Sequence, residues 1–169
     1  MTTFNRLYRA PKFHLCVHTG NKGHIDFEPS KYRKTQYTFV SYGTGQIHMF
    51  TGDEHEVIAD AKSGDLLDFR RFINSSVIIK AKEDYRIVSF NSWRKTDVWK
   101  GRLLEQNEVQ ISSSASYSTL VCLKGTFNIK GKDVPEMTYV DLKKDTTYNI
   151  DCNNAYVGLF EEIDERVEL

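Results

Sequence analysis

Three sequence blocks occur twice, in the same order, and this duplication constrains the fold more than any single residue does. Tyr37 to Ile47 is a β-prone run broken by Gly43-Thr44-Gly45 and left through Gln46 and Ile47. Thr119 to Ile129 repeats it, with Gly125-Thr126 at the turn and Asn128-Ile129 at the exit. Leu67-Asp68-Phe69-Arg70-Arg71 matches Val140-Asp141-Leu142-Lys143-Lys144, and Ile87 to Phe90 matches Val157 to Phe160. A strand–turn–strand unit used twice predicts two similar β structures rather than one irregular one.

Composition narrows the class. A chain of 169 residues suits one compact domain or two small halves. Ten Phe and nine Tyr against three Pro favour strands over disorder. Lys+Arg and Asp+Glu balance at 23 each, so the basic excess of a nucleic-acid binder is missing. No apolar run approaches the roughly 20 residues of a membrane span, and Met1 to Arg6 lacks a signal-peptide core. Three widely spaced cysteines, Cys16, Cys122 and Cys152, form no CxxC pair and point to a reducing, cytoplasmic compartment. The expectation is a protein with neither nucleic-acid nor membrane partners.

The chain divides by its turn signals. Residues 1–12 read as a basic arm carrying Arg6, Arg9 and Lys12. Residues 13–92 hold the first repeat, opening on the alternating run from Phe13 to His18. Residues 93–104 form a crossing segment with both tryptophans, Trp93 and Trp99, read as plugs for the end of a barrel. The second repeat spans 105–160, and 161–169 is an acidic tail with weak helical character. Short strands at turn-marked intervals predict an all-β sandwich or barrel.

A strand, a Gly-x-Gly turn, a returning strand and then Gly-Asp before the next strand is the order found in cupins. Here these are Tyr37 to Tyr42, Gly43-Thr-Gly45, Gln46 to Phe50 and Gly64-Asp65-Leu66-Leu67. The chain therefore resembles a bicupin, with two double-stranded β-helix (jelly-roll) repeats forming one compact unit. Metal-binding cupins place a His-x-His pair and a Glu ahead of the first glycine, and a further His after Gly-Asp. In this chain the Glu position falls on Gln36, the pair falls within 29–32, and the late position falls near Asn74 or Ser75. In the second copy the Glu position is Ser118 and the pair falls within 111–114, again without histidine. The resemblance thus implies a cupin whose metal-ligand positions are lost, and no cofactor is expected.

Other residues could still carry chemistry. His14, Cys16 and His18 alternate on one strand and share a face, a geometry able to bind zinc with His24 as a fourth donor. His48, between Ile47 and Met49, is the candidate acid–base residue if it enters the barrel, with Tyr32 or Tyr37 as its helper. Should Ile47 and Met49 form the core, His48 faces solvent instead. Gln36, Thr38, Arg70 and Asn74 are the expected ligand-binding residues. The serines from Ser112 to Ser116 form no nucleophile elbow, and no histidine follows His55.

Two functional classes follow. The first is a non-catalytic jelly-roll module that binds a small polar ligand or a protein partner. It would self-associate through sheet edges, as subunits of larger and viral assemblies do. The alternative is a metal-independent cupin-type isomerase or epimerase acting on a sugar or another small polar substrate.

Overall fold

The computed structural model describes residues 4–105, 108–110 and 115–163. Among them the chain is built from β-strands and two single 3-10 turns. No helix there is long and apolar enough to cross a membrane. The chain separates into two units, Met1–Lys95 and Thr96–Leu169.

The first unit holds nine strands. They are β1 (Phe4–Arg9), β2 (Phe13–Gly20), β3 (Ile25–Glu28), β4 (Thr35–Tyr42), β5 (Thr44–Thr51), β6 (Glu54–Lys62), β7 (Leu66–Asp68), β8 (Ser76–Ala81) and β9 (Tyr85–Ser92). One sheet has the order β1-β2-β9-β4-β7 and the other β3-β8-β5-β6, with every pairing antiparallel. Period-two alternation decides which side chains meet between them. Val40 and Ile87 from the first sheet join Ile47, Met49, Val77 and Ala81 from the second in one buried cluster. Phe13, Leu15, Val17, Phe39, Val88 and Phe90 are buried as well. They stand on the opposite face of the first sheet.

The second unit holds β10 (Trp99–Leu103), β11 (Glu108–Gln110), β12 (Ala115–Ile129), β13 (Lys132–Pro135), β14 (Tyr139–Leu142), β15 (Thr147–Asp151) and β16 (Ala155–Ile163). The main path runs β10-β16-β12-β15-β11, with β13 and β14 also paired to β12. Its interior is Leu120, Cys122, Phe127, Ile129, Val134, Ile150, Val157 and Leu159.

The sequence repeat is also a repeat of register. Tyr37 faces Asp68 and Phe90, while Thr119 faces Asp141 and Phe160. Val40 faces Ile87, and Cys122 faces Val157. At the turns, Gly43 has φ +90° and Gly125 φ +83°, the left-handed region open to glycine. A Cβ on Gly43 would lie 2.4 Å from the Asp84 carbonyl oxygen, and one on Gly125 2.2 Å from that of Asn154. Backbone approach, more than turn flexibility, requires glycine at both positions.

The chain departs from its sequence reading at several segments. The supposed arm contributes β1, which pairs with β2 from Phe4↔Thr19 to Arg9↔His14. Residues 161–163 continue β16 instead of starting a helix, and 164–169 lie outside the described residues. The crossing segment contributes a strand, because Trp99–Leu103 pairs with β16. Arg70–Phe72 is a 3-10 turn rather than strand, entered where Asp68 Oδ1 accepts the Arg70 backbone N–H at 3.0 Å.

Candidate functional site

The first unit contains a cleft of about 640 Å³, lined by side chains of four strands and a turn. β2 supplies His14, Cys16 and His18, and β9 supplies Ser89 and Asn91. β3 brings Asp26 and Glu28, while Lys31, Lys34 and Thr35 come from the Ser30–Tyr32 turn and the start of β4. Register explains the convergence. His14 stands opposite Asn91, Cys16 opposite Ser89 and His18 opposite Ile87, so the polar side chains of β2 point between the sheets. An adjoining pocket of about 20 Å³ shares His18, Asp26, Glu28 and Ser89 and reaches Thr38 and Phe69. It has room for one water.

Two linked polar groups shape the walls. His18 Nδ1 lies 3.4 Å from Asp26 Oδ2, an ion pair without good hydrogen-bond alignment, and that nitrogen is otherwise buried and orphaned. Burial alone would lower the His18 pKa, but Asp26 and the Cys16 side chain outweigh it and hold the imidazolium up to about 9. In return His18 keeps the Asp26 carboxyl below its ordinary range, against the opposing effect of burial. His14 is tuned the other way. Burial, then Lys34 and Arg9, lower its pKa, so the ring is neutral near pH 7. It lies tilted against the Trp93 ring at 4.6 Å, and its Nδ1 lies 3.9 Å from Cys16 Sγ.

The second group centres on Glu28. Arg33 donates from Nη1 to Glu28 Oε2 at 3.0 Å, and Thr35 donates to Asn91 Oδ1 at 2.7 Å and more weakly to Glu28 Oε1 at 3.4 Å. Arg33 is 0% exposed, with Nε and Nη2 unpartnered and its guanidinium 5.4 Å over the Phe69 ring. A buried cation with only one carboxylate fixes that carboxylate in place, since separating them would strand the charge.

The residues singled out in the sequence are scattered. His14, Cys16 and His18 are together in the cleft, and Thr38 borders the adjoining pocket. Gln36 is buried but donates to Ser92 Oγ at 3.2 Å, outside the cleft lining. Arg70 is exposed, bonded to Asp68 at 2.7 Å and lying 5.4 Å over the buried ring of Tyr37. Asn74 is exposed. His48 stands across the sheet from the core-forming Ile47 and Met49, with Nδ1 3.0 Å from His55 Nε2. His24 stacks on Tyr85 at 6.4 Å and is not part of the cleft. The side chain of Tyr32 and residues 111–114 lie outside the described residues.

Sequence reasoning missed Asp26, Glu28, Ser89, Asn91 and the buried Arg33. One signal was present: Ile25-Asp-Phe-Glu28 alternates apolar and acidic residues, which on a strand places both carboxylates on one face.

Among the described residues no three His, Cys, Asp or Glu side chains are grouped to hold an ion. Residues 29–32, where the cupin resemblance would place a His-x-His pair, hold no histidine and include the Ser30–Tyr32 turn. What the cleft does offer is a neutral imidazole, a thiol and an imidazolium along one strand, facing hydroxyl, amide and carboxylate groups.

No family model matches the chain, and no curated protein is similar to it by sequence. Solved structures do resemble it. A cupin 2 conserved barrel domain protein from Leptotrichia buccalis, 12% identical, aligns over 96% of this chain and 89% of its own, with a TM-score of 0.53. Oxalate decarboxylase from Bacillus subtilis, 8% identical, aligns over 96% of this chain and 75% of its own, with a TM-score of 0.61. The pirin YhhW from Escherichia coli, in complex with nickel(II), is 9% identical and aligns over 95% of this chain and 90% of its own, at a TM-score of 0.51.

Proposed function

We propose, from the premise that this chain has the cupin-like jelly-roll fold, that its first unit is a binding module for a small polar ligand. One observation carries the reading. The inner face of β2, β9 and β4 is polar where the fold would allow it to be apolar, and those polar groups line a cleft of ligand size. Cations outnumber carboxylates in and behind the lining: His18, Lys31, Lys34 and Arg33 against Asp26 and Glu28. An anionic, hydroxyl-bearing molecule fits that balance. Thr35, Ser89 and Asn91 would receive its hydroxyls, and the cationic His18 would offset its charge. Self-association belongs to the same reading, since β1 ends one sheet and β6 the other among the described residues.

The test is a thermal-shift and native mass-spectrometry screen with citrate, malate, gluconate and neutral sugars. A carboxylate should raise the melting temperature of the wild type and leave the Thr38→Leu/Ser89→Leu double variant unmoved. His48→Ala should bind within a few-fold of wild type. Equal shifts in wild type and the double variant would place binding elsewhere and end the proposal.

A second reading has its own observation, the opposite tuning of His14 and His18 within one cleft. A neutral base and a charged acid are what a metal-independent isomerase needs. Solvent-deuterium exchange into a bound polyol or hydroxy acid, lost in His14→Gln, would favour it.

A further inference from the structure

We propose that Cys16 is a nucleophilic thiol that forms a covalent bond with a small anionic electrophile entering the cleft. The inference rests on the cleft being open to small molecules, as above, and goes beyond reversible binding.

Position is the first support. Cys16 lies at the middle of β2 with His14 two residues before it and His18 two residues after it, all three on the face that lines the cleft. Its cross-strand neighbour is Ser89, whose short side chain leaves the sulfur open to the cavity. His14 Nδ1 is 3.9 Å from Sγ, within reach for a thiol donating to an unprotonated ring nitrogen. The neutral state of His14 makes it an acceptor for that proton. His18, held cationic by Asp26, stands two residues on along the same face and interacts with the Cys16 side chain. A thiol between a base and a cation matches the general requirement for an activated cysteine.

The other two cysteines provide an internal contrast. Cys122 is 0% exposed, its Sγ donates to the Gly125 carbonyl at 3.2 Å, and burial pushes its pKa up to about 11. No histidine follows His55 in the sequence, and burial raises the Cys152 pKa as well. The chain therefore holds one cleft-lining thiol between two histidines of its own strand and two thiols whose pKa burial raises.

The selectivity for anions comes from Lys31 and Lys34 in the lining. In the bond-forming step His14 Nδ1 takes the thiol proton, and the sulfur lone pair attacks the electrophilic carbon. The S–C bond forms as the carbon–leaving-group bond breaks, its electron pair departing with the leaving group. His14 then returns its proton to solvent. No oxidant or reductant is needed.

Iodoacetate and iodoacetamide are suitable probes because they share a carbon and a leaving group and differ in charge. The folded full-length chain is treated with each at pH 7, and labelling at the three cysteines is followed by peptide mass spectrometry. Cys16 should react about tenfold faster than Cys152, with Cys122 slowest. The iodoacetate-to-iodoacetamide rate ratio should be higher at Cys16 than at Cys152, and Lys34→Gln should bring the two ratios together. His14→Gln should slow Cys16 by about tenfold and move its pH profile upward, leaving Cys152 unchanged. Should His14→Gln disturb folding, Cys122 will become labelled, and the wild-type and Lys34→Gln ratios then decide. Cys16 reacting no faster than Cys152, or showing no added preference for iodoacetate, would overturn the proposal. Fast iodoacetate labelling of Cys16 in a wild type that no carboxylate stabilises would separate this from ligand binding, leaving the thiol proposal standing and the reversible-binding reading overturned.

Discussion

Where Thr38 meets Ser89 in the first unit, Leu120 meets Leu159 in the second, at the same register positions of the repeated strands. The neighbouring strand differs in the same sense. Cys16 pairs with Ser89, while Arg102 pairs with Leu159; His14 pairs with Asn91, while Lys100 pairs with Glu161. His18 lies half-buried in the cleft, whereas Leu104, whose N–H bonds Val157, packs on the second unit's core. One copy closed its interior with leucine, isoleucine and phenylalanine and put its charges outside. The other kept part of its interior polar. Because side chains of a strand alternate between faces, the backbone frame tolerates either choice. Stability and site chemistry are thus divided between the two copies.

The sharpest way to break that comparison is to carry a residue type across it. Leu120→Ser should destabilise the chain by about 4 kcal/mol, since it removes buried apolar volume and leaves a hydroxyl in a dry core. Thr38→Ser at the matching position should change stability by less than about 1.5 kcal/mol. Urea denaturation measures both, and near-equal losses would show that the two interiors are not differently built.

The next effect tests what the units share. Gly43→Ala and Gly125→Ala each drive a Cβ into a backbone carbonyl at positive φ and should each destabilise by about 3 kcal/mol. A loss at one glycine alone would mean that the matched turns are equivalent in sequence only.

The smallest effect belongs to the first unit by itself. The His18 pKa is raised from 6.5 to about 9 in the folded chain, so its stabilisation is complete below about pH 6.5 and fades as pH rises through about 9. Asp26 is its main partner, with Cys16 beside it, and Glu28 belongs to Arg33. The loss between those pH values should be on the order of 2 kcal/mol, and Asp26→Asn should remove most of it. Chemical denaturation at several pH values reads this directly. A slope that survives Asp26→Asn would assign it to another group.

Much of the fold was legible because it depends on local rules. The Gly-Thr turns, the alternating strands and the repeated blocks gave an all-β duplication, and the paired strands keep its register at the matched blocks. The site was less legible. Alternation placed His14, Cys16 and His18 on one face of a strand, but nothing local said that this face turns inward. That depends on β3 and the Ser30–Tyr32 turn, whose Asp26 and Glu28 arrive from the opposing sheet. Ser89 and Asn91 were hidden for a related reason: they sit in and beside a repeat block that reads as plain core strand. Gln36 and Asn74 were inferred by counting from the glycine turns, and Arg70 from the basic pair that recurs as Lys143-Lys144. The β4–β9 bulges near Thr35 and Tyr42 and the 3-10 turn at Arg70 change which way such counted positions point.

β2 holds the two halves of this division in eight residues: Phe13, Leu15 and Val17 on one side, His14, Cys16 and His18 on the other. Over generations, such a strand can exchange its reactive trio for another without disturbing the apolar trio behind it. Descendants of this chain could therefore acquire new ligands or chemistries by point changes at three alternate codons, while the architecture is inherited intact.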